Sequence, residues 1–181
     1  MFWGIRVRLL IIELSKPSSN VIAIMPQFTI PGRPQLDIRH LVLDYNGTLA
    51  VDGELLSPVK SIIEQLTEQY QVHIVTADTF GKARQQLQGI ENIEMKILSQ
   101  ERQDHQKADY VKRLGALNVM AIGNGSNDAL MLRSALIGIC VIEGEGAAAS
   151  TMQRADLICR DIHSALQLLL HPKRLEATLR T

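Results

Sequence analysis

The fold is decided by the stretch His40-Leu41-Val42-Leu43-Asp44-Tyr45-Asn46-Gly47-Thr48-Leu49. It begins with an apolar run of the length of a buried β-strand and continues into a polar loop. A carboxylate directly after such a strand lies at the strand tip, and Gly47 lets backbone N–H groups approach an anion closely. The stretch therefore predicts a strand that ends in an anion-binding loop, with Asp44 at the strand tip.

On both sides of this stretch, apolar strand patterns alternate with amphipathic helix patterns, which indicates an α/β protein with a parallel sheet covered on both faces. A hairpin arm is predicted at 28–30 and 35–38, around the turn Pro31-Gly32. The predicted sheet strands are 40–43, 71–76, 94–98, 119–122, 137–142 and 156–159. Helices are predicted after Ser57 as cap with Pro58 first, at 81–87, through Lys107 to Gly115, at 128–135, after Gly146, and from 161 with a break near Pro172.

Length and composition favour one domain with a sizeable core, because the chain has 181 residues, of which 46% are hydrophobic and 21% charged. Nineteen basic and nineteen acidic residues cancel, so overall charge draws the protein neither to nucleic acid nor to a membrane. Cys140 and Cys159 lie inside apolar runs, which favours core packing over a disulfide or metal site. This cysteine usage fits a reducing cytoplasm.

The first residues follow a different pattern from the rest. The segment 2–14 starts like a signal sequence, but its apolar run is short, Glu13 interrupts it, and it is too short to span a membrane. Since the regular pattern begins only after Pro26, we expect Met25 to be the true start. Residues 1–24 are then an N-terminal extension, disordered or not native, and the domain occupies 25–181.

Further polar residues follow other predicted strands. Thr76 closes the apolar run 72–75, Lys107 lies near the start of its helix, and the loop 123–128 (Gly-Asn-Gly-Ser-Asn-Asp) opens a helix. In a doubly wound sheet, ligands bind where such strand ends converge at a topological switch point. A hydroxyl, an ammonium and glycine-flanked amides are suited to phosphate oxygens.

Taken in this order, the four motifs resemble those of the haloacid dehalogenase superfamily: a DxDGT nucleophile loop, a strand-end Ser or Thr, a Lys, and an acidic GDGxND loop. The resemblance runs from about 41 to 170 and is greatest to the phosphorylation domain of P-type ATPases and its small relatives. It implies a three-layer α/β/α Rossmann-like fold. The intervals around Thr76 are filled by ordinary helix–strand units, so we expect no cap domain.

The resemblance implies a Mg2+-dependent phosphatase or phosphotransferase in which Asp44 forms an aspartyl-phosphate. Thr76 and Lys107 would complete the catalytic set and hold the phosphoryl oxygens, with Tyr45 and Asn46 as further phosphate contacts. The metal ligands implied are Asp44, Asn46, Asn124 and Asp128.

Two positions depart from the family pattern. Asn46 stands where most members have a second Asp, and an amide cannot exchange a proton with the leaving oxygen or the attacking water. Asn124 replaces a usual Mg2+-binding carboxylate. We therefore expect slow turnover. The alternative is a binding or regulatory module that keeps the fold and has lost catalysis.

Several alternatives stay open at this stage. Asp52 is a candidate acid–base residue, although a hairpin turn explains it more simply, and Asp78 either touches the site or caps a helix. Lys96 and Lys112 compete with Lys107. All five histidines are taken as structural. Without a cap, the site is open to a phosphorylated small molecule or phosphoprotein, or is enclosed by a neighbouring subunit in a homo-oligomer.

Overall fold

The computed structural model describes residues 27–32, 35–78 and 80–180, so the proposed start at Met25 and the extension 1–24 lie outside the described residues. The strands are β1 (Gln27–Phe28), β2 (Leu36–Asp37), β3 (His40–Leu43), β4 (Ala50–Val51), β5 (Glu54–Leu55), β6 (Gln71–Thr76), β7 (Ile93–Ile97), β8 (Val119–Gly123), β9 (Ile137–Val141) and β10 (Leu157–Cys159). β1 with β2 and β4 with β5 form antiparallel hairpins. The other strands form a six-stranded parallel sheet. The predicted arm and the predicted sheet are both confirmed.

The helices are α1 (Val59–Leu66), α2 (Ala83–Gln86), α3 (Gln103–Leu114), α4 (Ala129–Ser134), α5 (Ala149–Met152), α6 (Ile162–Leu170) and α7 (Pro172–Leu179), with short 3-10 turns at Ala116–Asn118 and Ser126–Asp128. Element ends differ from the predicted ones by a residue or two, as is usual for frayed termini. The prediction that Ser57 caps α1 is wrong. Pro58 takes the cap position, no side chain caps the helix, and the N–H of Val59 donates to the carbonyl of Leu56 at 2.9 Å.

The order of strands in the sheet is β10-β9-β8-β3-β6-β7. The chain moves outward from β3 through β6 to β7, then returns to the other side of β3 and continues through β8 and β9 to β10. This reversal puts a topological switch point between β3 and β8. The two strand ends are joined there, because the N–H of Asp44 donates to the carbonyl of Ile122 at 3.0 Å.

Alternate side chains of β3 enter two different cores. Leu41 and Leu43 pack in the core that also contains the apolar faces of α1, α6 and α7, whereas Val42 packs in the core with α3 and α4. A strand buried on both faces needs apolar residues at consecutive positions, which explains the unbroken run before Asp44. The sheet therefore lies between two helical layers, as the α/β/α prediction required.

No cap domain is inserted within the described ranges, since the short β4–β5 hairpin leads directly to α1 and β7 leads to α3. Among these residues there is also no helix with the length and apolar character needed to cross a bilayer.

A chain of hydrogen bonds crosses the α3 side of the sheet. His40 Nδ1 lies 3.1 Å from His73 Nε2, and His73 Nδ1 lies 3.0 Å from the hydroxyl of Tyr110. That hydroxyl donates to Glu94 Oε1 at 2.8 Å, so it accepts from His73. One set of neutral tautomers thus satisfies the whole chain, in which His40 donates to His73 and His73 to Tyr110. The prediction that these two histidines are structural agrees with this arrangement.

We expect this network to make the fold sensitive to acid. Burial lowers the pKa of His73, and the same effect lowers the pKa of His40. A lowered folded-state pKa means that the unfolded chain binds more protons, so the stabilisation is present above about pH 6.5 and is lost as the pH falls toward the lower folded-state pKa. Urea unfolding from pH 7.5 to 5 should show a shallower loss of unfolding free energy in His73→Phe than in the native protein.

Groups that titrate alike in both proteins contribute equally to both slopes of unfolding free energy against pH, so the difference between the slopes reports the effect of His73. His105→Phe, at a side chain that is 52% exposed, is the control and should keep the native slope. Equal slopes in native protein and His73→Phe would contradict the assignment.

Candidate active site

Three buried charges meet at the switch point. The ammonium of Lys107 donates to Asp44 Oδ1 and to Asp128 Oδ1, both at 2.6 Å, and the three side chains are 1%, 8% and 0% exposed. We call Asp44, Lys107 and Asp128 the charge triad. Because each oppositely charged contact is short and shielded from water, the electrostatic attraction is much larger than at a surface.

The triad shifts the pKa of its members. Burial and the nearby negative charge of Asp128 raise the pKa of Asp44 to about 6, although Lys107 acts in the opposite direction. Burial by itself lowers the pKa of Lys107, but the carboxylates of Asp128 and Asp44 outweigh it and raise that pKa. Lys107 therefore stays cationic, and the triad carries one negative charge in excess.

The position of Lys107 follows from α3, which packs against the sheet with Lys107 on its buried side. The two rival lysines do not reach the site. Lys112 is 62% exposed and pairs with Asp109 on the helix surface, and Lys96 is exposed on β7. Of the three lysines that the sequence left in competition, only Lys107 is buried.

Asp128 fixes the loop after β8. Its Oδ2 accepts hydrogen bonds from the N–H groups of Asn124 at 3.0 Å and Gly125 at 2.9 Å. Gly123 is required beside it, because a Cβ there would lie 2.5 Å from Asp128 Cγ. Both oxygens of Asp128 thus have protein partners, so its predicted role in metal binding stays a prediction and fits a water-mediated contact best.

Thr48 connects the loop after β3 to Asn124. Its hydroxyl lies 3.1 Å from Asp44 Oδ2 and 3.1 Å from Asn124 Oδ1, and its one proton serves one of them at a time. Gly47, with φ of +74°, passes so close that a Cβ would lie 2.5 Å from Asn124 Nδ2. Only glycine fits that backbone conformation and that approach.

The Asn at position 124 makes a bond that an Asp could not. Its Nδ2 donates to the carbonyl of Gly146 at 2.8 Å, and the N–H of Ala148 donates to its backbone carbonyl at 2.9 Å. An ionised carboxylate at position 124 would set an oxygen against the Gly146 carbonyl oxygen. The local structure therefore favours Asn over Asp at position 124, where this chain departs from the family pattern.

Thr76 ends β6 and is 1% exposed, with its hydroxyl accepting a bond from the N–H of Asp78 at 2.9 Å. Asp78 Oδ1 accepts from the N–H of Ala83, the first residue of α2, at 3.0 Å. Asp78 thus supports the start of α2, as the capping alternative held. Asp52 occupies the β4–β5 turn with φ of +52°, which fits the hairpin alternative.

A cavity of about 140 Å³ opens in front of Asp44. Its lining residues are mostly polar and come from the loops that follow several strands and from the first residue of α3: Asp44, Asn46, Thr76, Ala77, Gln103, Asn124, Gly125, Asn127 and Glu145. Pockets that enclose a whole small molecule usually measure about 300–1,000 Å³, so this cavity has room for a phosphoryl group and leaves the rest of a substrate outside.

The structure brings most of the predicted site residues together. Asp44, Asn46, Thr76 and Asn124 line the cavity, and Lys107 and Asp128 lie behind Asp44. Tyr45 differs, because its side chain is buried in the core and its hydroxyl donates to the carbonyl of Gly53 at 3.3 Å. Any phosphate contact from Tyr45 is therefore restricted to its backbone.

Sequence reasoning missed Gln103, Asn127 and Glu145. Asn127 Nδ2 donates to Gln103 Oε1 at 2.9 Å, which joins α3 to the loop after β8 at the cavity wall. Glu145 follows β9 in the run Glu143-Gly144-Glu145-Gly146. A glycine-flanked polar loop after a buried strand is the same signal that identified the loop after β8, and it was available for Glu145 as well.

The donor set is compatible with Mg2+, an ion that prefers oxygen ligands. Asp44 and Asn124 offer side-chain oxygens, and Asn46 Oδ1 is buried without a hydrogen-bond partner among the described residues. The excess negative charge of the triad also favours a cation. No cluster of three or more His, Cys, Asp or Glu side chains suited to a metal occurs in the described part of the chain, so amide and backbone oxygens would have to contribute.

Removing the cation of the triad should destabilise the fold. Lys107→Met leaves two carboxylates buried together, for which we expect a loss of about 3–5 kcal/mol in the free energy of unfolding. Lys112→Met, on the exposed face of the same helix, should change it by less than about 0.5 kcal/mol. Urea denaturation measures both, and a loss below about 1 kcal/mol for Lys107→Met would contradict a structural role for the triad.

Similarity to known proteins identifies the family of this chain. No family model matches the chain. It is 52% identical over 62 residues to an uncharacterised protein of Methanocaldococcus jannaschii, a match that covers 34% of this chain and 67% of that protein. It is 33% identical over 128 residues to a protein of Archaeoglobus fulgidus described as "Probable copper-exporting P-type ATPase", covering 67% of this chain but only 15% of the ATPase.

Among solved structures, the chain is similar to the 3-deoxy-D-manno-octulosonate 8-phosphate phosphatase of Moraxella catarrhalis, in complex with magnesium ion, phosphate ion and a KDO molecule. The TM-score is 0.58 at 17% identity, and the match covers 79% of this chain and 94% of that one. At this identity the likeness concerns the fold. Together with the four strand-end motifs and the ATPase match, it shows that the chain belongs to the haloacid dehalogenase superfamily, with no cap domain among its described residues, and to one family with the Methanocaldococcus protein.

Proposed function

We propose that this protein is a Mg2+-dependent phosphatase or phosphotransferase that acts through an aspartyl-phosphate on Asp44. The observation that carries the proposal is the position of Asp44, whose carboxylate faces a cavity the size of a phosphoryl group while Lys107 holds Oδ1 from behind. Fold similarity to phosphatases supports the reaction class.

In the first step, a carboxylate oxygen of Asp44 attacks phosphorus, and the bond from phosphorus to the leaving oxygen breaks. Lys107 offsets the negative charge of Asp44 as it approaches an anion, and it keeps the attacking carboxylate in one orientation. Thr76 and the backbone of the nucleophile loop hold the phosphoryl oxygens. In the second step water attacks phosphorus, and inorganic phosphate leaves Asp44.

Mg2+, held by Asp44, Asn46, Asn124 and, through water, Asp128, would supply further positive charge to the transferring group. With Asn at two of these positions the site has fewer anionic ligands than the usual family pattern. We therefore infer weaker metal affinity.

We infer that the substrate is a phosphorylated small molecule or a phosphoprotein, because the cavity takes the phosphoryl group and no cap among the described residues covers the remainder. Both cysteines are free and buried, which suits a reaction in the cytoplasm. A homo-oligomer in which a neighbouring subunit covers the site remains part of the proposal.

Replacement of the nucleophile tests the proposal directly. Asp44→Asn should reduce hydrolysis of p-nitrophenyl phosphate with Mg2+ to the background rate, because the amide is a poor nucleophile. Asp109→Asn, at a carboxylate on the outside of α3 that is 57% exposed, is the control and should keep native activity. Beryllofluoride should form an adduct on Asp44 in the native protein. Equal rates for native protein and Asp44→Asn would remove Asp44 as nucleophile.

A second candidate function is a binding or regulatory module that has lost catalysis. It is favoured by the bond from Asn124 to the Gly146 carbonyl, which stabilises a site with reduced negative charge. Such a module would bind a phosphorylated partner without forming a covalent intermediate.

Substitution of Asn46 distinguishes the slow enzyme from the binding module. Asn46→Asp restores a proton-exchanging group, so turnover of p-nitrophenyl phosphate should rise by about 100-fold or more if the native protein is a slow enzyme. Asn46→Ala removes the amide without adding an acid and should give no increase. Native protein without any phosphorylation of Asp44, combined with activity in Asn46→Asp, would favour the binding module.

A further inference from the structure

The cavity in front of Asp44 is lined by a second carboxylate, that of Glu145, and these two are the acidic side chains among the lining residues. Asn46 lines the same cavity but cannot exchange a proton. We propose that Glu145 is the general base of the site and takes the proton of the water that hydrolyses the aspartyl-phosphate. This inference rests on the proposed chemistry at Asp44 and assigns the step that Asn46 cannot perform.

The position of Glu145 is fixed from two sides. Its Oε1 accepts a hydrogen bond from the N–H of Asp52 at 3.0 Å, across 93 positions of sequence, so the β4–β5 hairpin holds it. Glu145 lies in a tight turn, which is closed by the N–H of Gly146 donating to the carbonyl of Glu143 at 2.7 Å. The contact of Gly146 with Asn124 ties the same turn to the metal side of the cavity.

Among the described residues, the Glu145 carboxylate has a hydrogen bond on Oε1, and its Oε2 is available for proton transfer. A carboxylate that is anchored through one oxygen keeps its orientation, and Glu145 lines the cavity in front of Asp44. Glu145 is itself solvent-exposed, so a proton taken from water can pass on to solvent after each turnover.

Other carboxylates near the site are less suited. Asp52 contacts Glu145 through its backbone, and its side chain does not line the cavity. Asp78 is engaged with the first N–H of α2. Asp128 lies behind Asp44 with both oxygens bonded, one of them to Lys107.

The proposed step balances. A water oxygen forms a bond to phosphorus as the bond between phosphorus and Asp44 breaks, and the electron pair of that bond returns to Asp44 as a carboxylate. One proton of the water passes to Glu145, which becomes a neutral carboxyl group, and hydrogen phosphate leaves. Loss of the proton to solvent restores the Glu145 carboxylate.

The test follows the phosphorylated protein through a single turnover. The full chain is mixed with p-nitrophenyl phosphate and Mg2+, and nitrophenolate release, which needs no proton, reports formation of the aspartyl-phosphate. Acid quenching at later times reports its decay. In Glu145→Gln we expect formation within about 2-fold of native and decay slowed by about 100-fold. The amide oxygen of Gln keeps the bond to the Asp52 N–H, so positioning is preserved.

Two further variants separate catalysis from structure. Asp52→Asn retains the turn and the N–H that holds Glu145, so decay should be native. Adding Asn46→Asp to Glu145→Gln should restore fast decay, because the new acid supplies the missing proton acceptor. A merely structural role for Glu145 would change formation as well as decay.

Native decay in Glu145→Gln, or slow decay in Asp52→Asn, would overturn the assignment of Glu145 while leaving Asp44 as nucleophile. A native protein that forms no phosphorylated Asp44 would overturn the proposed function and the inference together. The two failures are therefore distinct in the data.

Discussion

The structure depends on one buried contact, in which the ammonium of Lys107 lies between the carboxylates of Asp44 and Asp128. Adjacent strands β3 and β8 bring these two carboxylates to the same edge of the sheet, where they would repel each other in a medium of low dielectric constant. Lys107 reaches them from α3, so the triad ties one helical layer to the switch point. The same contact keeps the carboxylate of Asp44, the proposed nucleophile, beside the ammonium of Lys107.

Two asparagines, Asn46 and Asn124, reduce the number of carboxylates around Asp44 relative to the usual family pattern. Asn124 contributes an amide that bonds to the Gly146 carbonyl, and through this bond the loop after β8 meets the turn that carries Glu145. Asn46 leaves the cavity without the acid that the family usually has beside the proposed nucleophile, Asp44. At positions 46 and 124 the site thus has an asparagine where the family usually has a carboxylate. The carboxylate of Glu145, from the turn after β9, lines the same cavity. Asn124 bonds to the backbone of Gly146, the residue next to Glu145, so the proposed metal side and the proposed proton acceptor lie on neighbouring parts of the same turn.

Much of the fold follows from local patterns. The apolar run before Asp44 predicts a strand buried on both faces, and alternation of strand and helix patterns predicts the layered parallel sheet, because each pattern reflects only neighbouring residues. Helix starts were less predictable. Ser57 looked like a cap, but the turn closed by the carbonyl of Leu56 replaced it. Tyr45 was expected at the phosphate, yet its ring fills the core, since a large aromatic side chain next to a buried strand gains more from burial.

The sequence by itself determined that Asp44 ends the central strand as the proposed nucleophile, which residue types stand at the other strand ends, and the departures at Asn46 and Asn124. Only the tertiary structure decided which of three lysines pairs with Asp44, since that contact joins residues 63 positions apart. It alone also decided that Glu145 faces the cavity while Asp52 does not. The reason is physical: residue types and local periodicity are encoded along the chain, whereas burial, charge pairing and access to a cavity depend on which distant segments pack together.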